Sequence, residues 1–270
     1  MLDYVFIFIL KWGMFGAALA TSLGYIVGAV MILAYLFHPE RILHVCRVKL
    51  SKKSLYLTIR NVGYMCRLGF SSFLCETAIA TMMFVGNYVF IRYLGEDGVA
   101  AYSIACYFFP IAFMVYNAIA QSAQPILSYN YGAKCTARVR ETFRLALTTA
   151  ILCGAGVFLL TWIFSHQIVG MFLDSSYPAY NIAVKGLPLF ASGFVFFGIN
   201  IVSIGYFQSL ERDCPAMIVT LLRGFALILL CFWILPIIWG SWGIWLAVPM
   251  SELLTFLFVL VIYWLENRRN

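Results

Sequence analysis

The sequence predicts an all-α integral membrane protein: a polytopic helical bundle of about seven full spans plus one partial span. Three observations carry this expectation. Of the 270 residues, 63% are hydrophobic and 11% are charged, whereas soluble domains run about 25% charged. The apolar residues gather in long runs, and about 20 residues rising 1.5 Å each cross a hydrocarbon core of about 30 Å. The basic residues lie almost entirely between those runs. A net charge of +7 suits either nucleic acid or anionic lipid, and the placement of the charges in loops points to a membrane surface and not to nucleic acid.

Met1–Leu10 is apolar but only half a span long, and reads as the end of a helix whose start is missing. A turn at Gly13–Gly16 leads into a charge-free span over Met14–Phe37. His38–Arg67 is polar and carries Arg41, Arg47, Lys49, Lys52, Lys53, Arg60 and Arg67. Within it, ILHVCRVKL has apolar and basic faces, as a surface-lying helix would. Further spans are expected over Leu68–Ile91, Val99–Leu127, Leu145–Phe164, Asn181–Leu210, Ala216–Ile238 and Ile244–Leu265. Pro125 is expected to kink its helix near one end. The domains expected are 1–37, the end of an amino lobe; 38–60, a basic cytoplasmic linker; 61–265, a six-helix carboxyl lobe; and 266–270, a cytoplasmic tail.

Alternate connections carry 14 basic residues against 3 on the opposite set. By the positive-inside rule, segments 38–67 and 128–144, the turn at Glu211 and the C-terminus are cytoplasmic. Trp12, Trp239, Trp242 and Trp245 are expected in an interfacial belt at the other face. The eight cysteines form no CxxC pair or zinc spacing. The three histidines stand apart, so no metal site is expected. There is no basic n-region of the kind that opens a cleavable signal peptide.

WGMFGAALA at 12–20 and WGSWGIWLA at 239–247 share Trp-Gly-x-x-Gly-x-x-Leu-Ala. Both fall at turns on the same side, six helices apart, which suggests a parallel six-helix repeat. A twelve-span, two-lobed protein follows, of which this chain holds the second lobe and the end of the first. The chain therefore reads as a truncated copy, or as a half that assembles with another half.

Glu76 is the one charge within Leu68–Ile91. A carboxylate at that depth costs roughly 2.5–3.5 kcal/mol on insertion scales, so it needs a partner, a water cavity or a job. Ser72, Glu76, Met83 and Asn87 share one helical face. The functional reading is a proton or sodium site; the structural one is a pair with Arg223 or a packing hydrogen bond. Asn117, Gln121, Gln124 and Ser128 form a second polar stripe, read as a cavity wall or as interhelical glue. Asn200, Ser203 and Phe207 make a third, with Tyr206 and Gln208 beside it. Arg223 lies inside its helix, and Glu252 is a rival partner for it. Phe108, Phe109, Phe113 and Tyr116 suit either packing or cation–π contact with flat cations. Gly24 and Gly28 suggest a close helix contact. HExxH, an intramembrane aspartate pair and a histidine cluster are all absent from the sequence, so no catalytic residue and no enzymatic activity are expected.

LDYVFIFILKWGMFGAALAT, FSSFLCETA, AIAQSAQPILSYNYGAK, GYFQSL, LLRG and WGSWGIWLAVP together resemble the multidrug and toxic compound extrusion (MATE) family, in its MepA-like branch. The resemblance implies one lobe of a two-lobe, inverted-V transporter in the plasma membrane. It implies a secondary active antiporter that exports amphipathic drugs or small organic cations by alternating access. Glu76 would then be the ion-coupling carboxylate. The cavity would be lined by Ser72, Asn87, Tyr116, Asn117, Gln121, Gln124, Asn200, Tyr206 and Arg223. No cofactor is implied beyond H+ or Na+ as coupling ion, and H+ is favoured because one acid is evident in the core of this lobe. The implied partners are membrane lipid, the transported compounds and a missing amino lobe or another half. Some branches carry an acid where this chain has Asn200 and Ser203, which puts a two-carboxylate site in doubt. A lipid-linked precursor flippase of the same superfamily is the alternative transport reading, although such proteins line their cavities with more charge. A non-transporting membrane scaffold is the other alternative.

Overall fold

The computed structural model describes residues 4–37 and 51–267 and is helical in nearly all of them, with no strand among the described residues. The surface helix expected over residues 42–50 lies outside the described residues. The chain divides into two compact units, Met1–Asn61 and Val62–Asn270.

In the first unit a π-helical turn, Val5–Ile9, precedes α1, Gly13–Leu36. Between them Phe6 stacks on Trp12 with ring centroids 5.6 Å apart. Nothing in the described chain lies within 4 Å of where a Cβ would stand at Gly24 or Gly28, so the close contact expected there is not made by the described residues.

The second unit is built mainly from two long helical runs and the segments between them. α2, Lys52–Gly132, has one non-helical residue, Gly95 at φ +68° and ψ −158°. Its 61-residue apolar portion, Ser72–Gly132, is about three times a bilayer core in length at 1.5 Å per residue. It turns back at Gly95 instead: Phe90 stacks on Tyr102 at 4.3 Å, and the Tyr102 hydroxyl donates to the Met82 carbonyl. Pro125, expected to mark a kink, sits within a run of continuous helix. The helix that carries Glu76 begins at Lys52, earlier than the expected Leu68, because polarity alone does not end a helix that meets no breaker.

α3 spans Thr136–Ile163. A short α4, Ser165–Gly170, occupies part of the segment expected to be a loop. The single span expected over Asn181–Leu210 is two helices, α5 (Pro178–Ala191) and α6 (Phe194–Ser209), bent by 41°. Pro188 removes a backbone donor just before the break, and Gly193 lets the backbone of Pro249 approach to 2.8 Å from where its Cβ would stand. α7, Asp213–Leu221, passes through a π-helical turn, Leu222–Ala226, into α8, Leu227–Asn267. α8 folds back at Gly240, φ +55°.

The core is aromatic. Phe90 meets Trp245 edge-on at 4.8 Å, and Phe109 stacks on Phe197 at 4.6 Å, arrangements that suit the ring quadrupoles. Trp245, expected in the interfacial belt, is buried instead against Gly186, whereas Trp239 and Trp242 are exposed.

The two Trp-Gly-x-x-Gly copies make locally similar turns. Gly13 and Gly240 take φ of +53° and +55°, a range that L side chains avoid and glycine enters freely. Three residues on, a Cβ at Gly16 would meet the Phe6 carbonyl, and one at Gly243 would meet the Leu235 carbonyl. In each copy one glycine turns the chain and the other seats it against the preceding helix.

Candidate functional site

Three helical segments of the second unit converge on a polar cleft. The segment of α2 before Gly95 presents Ser72, Cys75 and Glu76. The segment after Gly95 presents Phe113, Asn117, Gln121 and Gln124, and α6 presents Ile201, Ile204, Gly205 and Gln208. The cavity measures about 360 Å³, within the range of small-molecule sites. Glu76 is its one carboxylate. It is exposed to the cleft and has no hydrogen bond or ion pair among the described residues. Gln124 Nε2 donates to Gln208 Oε1 at 3.3 Å, tying the α2 wall to the α6 wall.

A second cavity of about 350 Å³ shares Ser72, Gln124 and Gln208 and adds Gly69, Ser128 and Ser209. The Ser128 hydroxyl donates to the Ser209 carbonyl at 3.1 Å. Polar groups thus run continuously from Glu76 to the end of the bundle that holds the Gly132 and Glu211 turns.

A sealed constellation lies beside this open one. Arg223 Nε donates to Glu252 Oε1 at 2.7 Å, with both side chains almost fully buried. Asn200 Nδ2 donates to Glu252 Oε2 at 2.8 Å and to the Glu252 backbone carbonyl at 2.9 Å. Both partners are acceptors, so the amide must turn its NH₂ toward them. The guanidinium carbon stands 4.4 Å from the centroid of the Phe197 ring, a cation–π contact strengthened by desolvation. The π-helical turn Leu222–Ala226 carries Arg223, and such turns insert one extra residue into the helical register. At the next position Gly224 packs on Ala78 so closely that a Cβ would overlap it. One turn away, Cys75 Sγ meets Thr220 Oγ1 at 3.6 Å. Cys75, Ala78 and Met82 are buried, and Ser72 and Glu76 lie on the adjoining face, open to the cleft.

Of the expected cavity residues, the structure brings together Ser72, Glu76, Asn117, Gln121 and Gln124. It does not bring Asn87, Tyr116, Asn200, Tyr206 or Arg223 into that cleft. Asn87 Nδ2 donates back to the Met83 carbonyl one turn earlier in its own helix. Tyr116 is buried against Phe197 and Gly198. Asn200 and Arg223 are committed to Glu252. Tyr206 lines a different cavity. The reason lies in one step of helical phase. On α6 the stripe Asn200–Ser203–Phe207 turns inward, with Asn200 meeting α8, and the neighbouring stripe Ile201–Ile204–Gly205–Gln208 faces the cleft. Gln208, expected beside the third stripe, is the member of that group that reaches the cleft, and its spacing of three from Gly205 and four from Ile204 puts it on their face.

The second unit is a polytopic helical membrane bundle with a carboxylate in an open polar cleft. Residues 72–233 match the MatE family model, and the chain belongs to that family. It is 21% identical over 268 residues to multidrug export protein MepA of Staphylococcus saprophyticus subsp. saprophyticus, an alignment covering 99% of this chain and 57% of that protein. It is 26% identical to the probable multidrug resistance protein NorM of Rhizobium meliloti, covering 86% of this chain and 50% of that one. The chain therefore spans a little over half the length of the curated relatives it matches. Among solved structures, an outward-facing multidrug resistance MATE family transporter of the MOP superfamily superposes with TM-score 0.83 at 21% identity, covering 96% of this chain and 58% of that one. A MOP superfamily transporter from Pyrococcus furiosus gives 0.83 at 20%, covering 96% and 57%. These likenesses define the same helical fold.

Proposed function

We propose that the chain serves secondary active multidrug efflux, exchanging a cation for amphipathic or cationic compounds, with Glu76 as the coupling carboxylate. The observation that carries this reading is the contrast in partners: Glu76 opens onto a cleft of about 360 Å³ with no ion pair among the described residues, while the other carboxylate of the bundle interior is held by Arg223. An exchangeable proton or metal cation needs an acid whose charge is not already balanced.

A proton is the better coupling ion for this reading. Glu76 is the one acid lining the cleft, and Glu252 gives its oxygens to Arg223 and Asn200. The exposed amides of the cleft are the wall of a path that a second lobe or a second half completes, as rocking between lobes about a midplane site requires. The reading places the protein in the plasma membrane with the basic end of the bundle, and the C-terminus, in the cytoplasm.

The test is ethidium efflux from a drug-sensitised host that expresses the chain together with a second transporter half. Efflux is expected to collapse with a protonophore and to be lost in Glu76→Gln. Undiminished coupled efflux in that variant would falsify the assignment. Efflux that survives the protonophore but stops without sodium would reassign the ion.

A further inference from the structure

At the end of the second unit that carries the Gly132 and Glu211 turns lies a cavity of about 860 Å³, larger than the Glu76 cleft and separate from it. Lys134, Arg140 and Arg212 line it, and no acidic residue does among the described residues. Its floor is an aromatic trio: Phe143 lies 4.2 Å from Tyr206 and 5.6 Å from Tyr263, and the two tyrosines are 5.9 Å apart, centroid to centroid. Lys134 and Arg140 have no ion-pair partner among the described residues, although exposed Glu141 stands next to Arg140 in the chain.

The backbone adds a second observation. The two turns that frame the cavity each hold a charged, non-glycine residue at positive φ, Lys134 at +59° and Glu211 at +57°. Glycine is the residue that takes this conformation without cost at the end of a helix. Lys134 holds this conformation while its side chain lines the basic cavity; Lys11, outside the cavity, takes a similar φ of +54°.

We propose that this cavity is a binding site for the headgroup of an anionic phospholipid from the adjoining leaflet. Lys134 and Arg140 would hold the phosphate, and the Phe143–Tyr206–Tyr263 floor would meet the glycerol and the upper acyl chain. Guanidinium groups match phosphate oxygens in pairs, and tyrosines suit a boundary that is wet at one end and apolar at the other. Basic pockets between helices at the cationic face of a membrane protein are where acidic headgroups collect. The site ties the α2–α3 turn to the α6–α7 turn, so its occupancy would brace the end of the bundle toward which the polar track from Glu76 runs.

The test uses the full chain in dodecyl maltoside, with thermal unfolding followed by intrinsic fluorescence while dioleoylphosphatidylglycerol or dioleoylphosphatidylcholine is added at matched mole fraction. Phosphatidylglycerol is expected to raise the unfolding midpoint saturably, and phosphatidylcholine is not. K134Q/R140Q should raise the half-saturating lipid fraction roughly tenfold or more, while R138Q/R144Q, with the same net charge change away from the cavity, stays within about twofold. Lys134→Gly separates backbone from ligand: it should unfold no earlier than the parent without lipid, because the strain is relieved, yet respond less to phosphatidylglycerol. Equal responses to both lipids, or equal losses in both double variants, would overturn the proposal. So would full protection by soluble glycerol phosphate, which would assign the cavity to a free phosphate compound. None of these readouts depends on transport by Glu76.

Discussion

Glu76 and Glu252 have opposite surroundings. Glu252 is sealed: Arg223, Asn200 and the Phe197 ring close around the pair. Glu76 stands open in a cleft of amides and small side chains. Burying an ion pair costs several kcal/mol of solvation per ion, which the mutual attraction and added hydrogen bonds offset only in good geometry. Both Glu252 oxygens are therefore taken up by Arg223 and Asn200. Glu76 has no such partner among the described residues, and the coupling role proposed for it rests on that difference. A charge in a span is thus not by itself a sign of function; whether its charge is already balanced is what distinguishes the two.

The comparison can be broken most sharply at Arg223. Arg223→Met leaves Glu252 buried without its counter-charge and should destabilise the fold by about 3–5 kcal/mol, read as earlier unfolding in detergent and faster trypsin cleavage. R223M/E252L should recover most of that loss, since a well-packed apolar pair often replaces a buried ion pair at little net cost. If the double variant is no more stable than R223M, the pair is not the unit it is described as here.

Gly224→Val probes the packing that sets the pair beside α2. The added atoms collide with Ala78 and should cost about 1–3 kcal/mol by overpacking. Combining the change with Ala78→Gly should return part of it, as a double-mutant cycle on unfolding would show. Asn200→Leu removes a donor from Glu252 Oε2 and should cost about 1–3 kcal/mol, with no effect on access to the Glu76 cleft. An added cysteine at Gln121, labelled by a small maleimide, would report that access.

The smallest stability effect is expected at Glu76 itself. Glu76→Gln removes no ion pair and should change unfolding by less than about 0.5 kcal/mol, while abolishing cation-coupled efflux. A large loss of stability in this variant would show that Glu76 is a structural partner after all and would erase the distinction between the two carboxylates.

Much of this was legible in the chain. The helical membrane class and the positions of most spans followed from run length, because backbone polar groups in hydrocarbon must be satisfied within a helix. The Trp-Gly-x-x-Gly repeat located two turns whose glycines share a backbone conformation. Spacing of three and four also placed Ser72 with Glu76, and Asn117 with Gln121 and Gln124, on common faces. Those faces do meet in the cleft.

What spacing left open, the tertiary structure decided. Arg223 had two possible acids, and the choice of Glu252 depends on the rotation of its helix through the π-helical turn and on the Gly224–Ala78 contact. Asn200 and Gln208 lie on one helix, and only the packing of α6 between α2 and α8 sends the first to the ion pair and the second to the cleft. Trp245 had the composition of an interfacial residue and became core because Gly186 left room for its ring. In each case the sequence determined which residues share a face, a local property of a helix of 3.6 residues per turn. It could not determine which face meets which neighbour, because that depends on close packing between segments far apart in the chain.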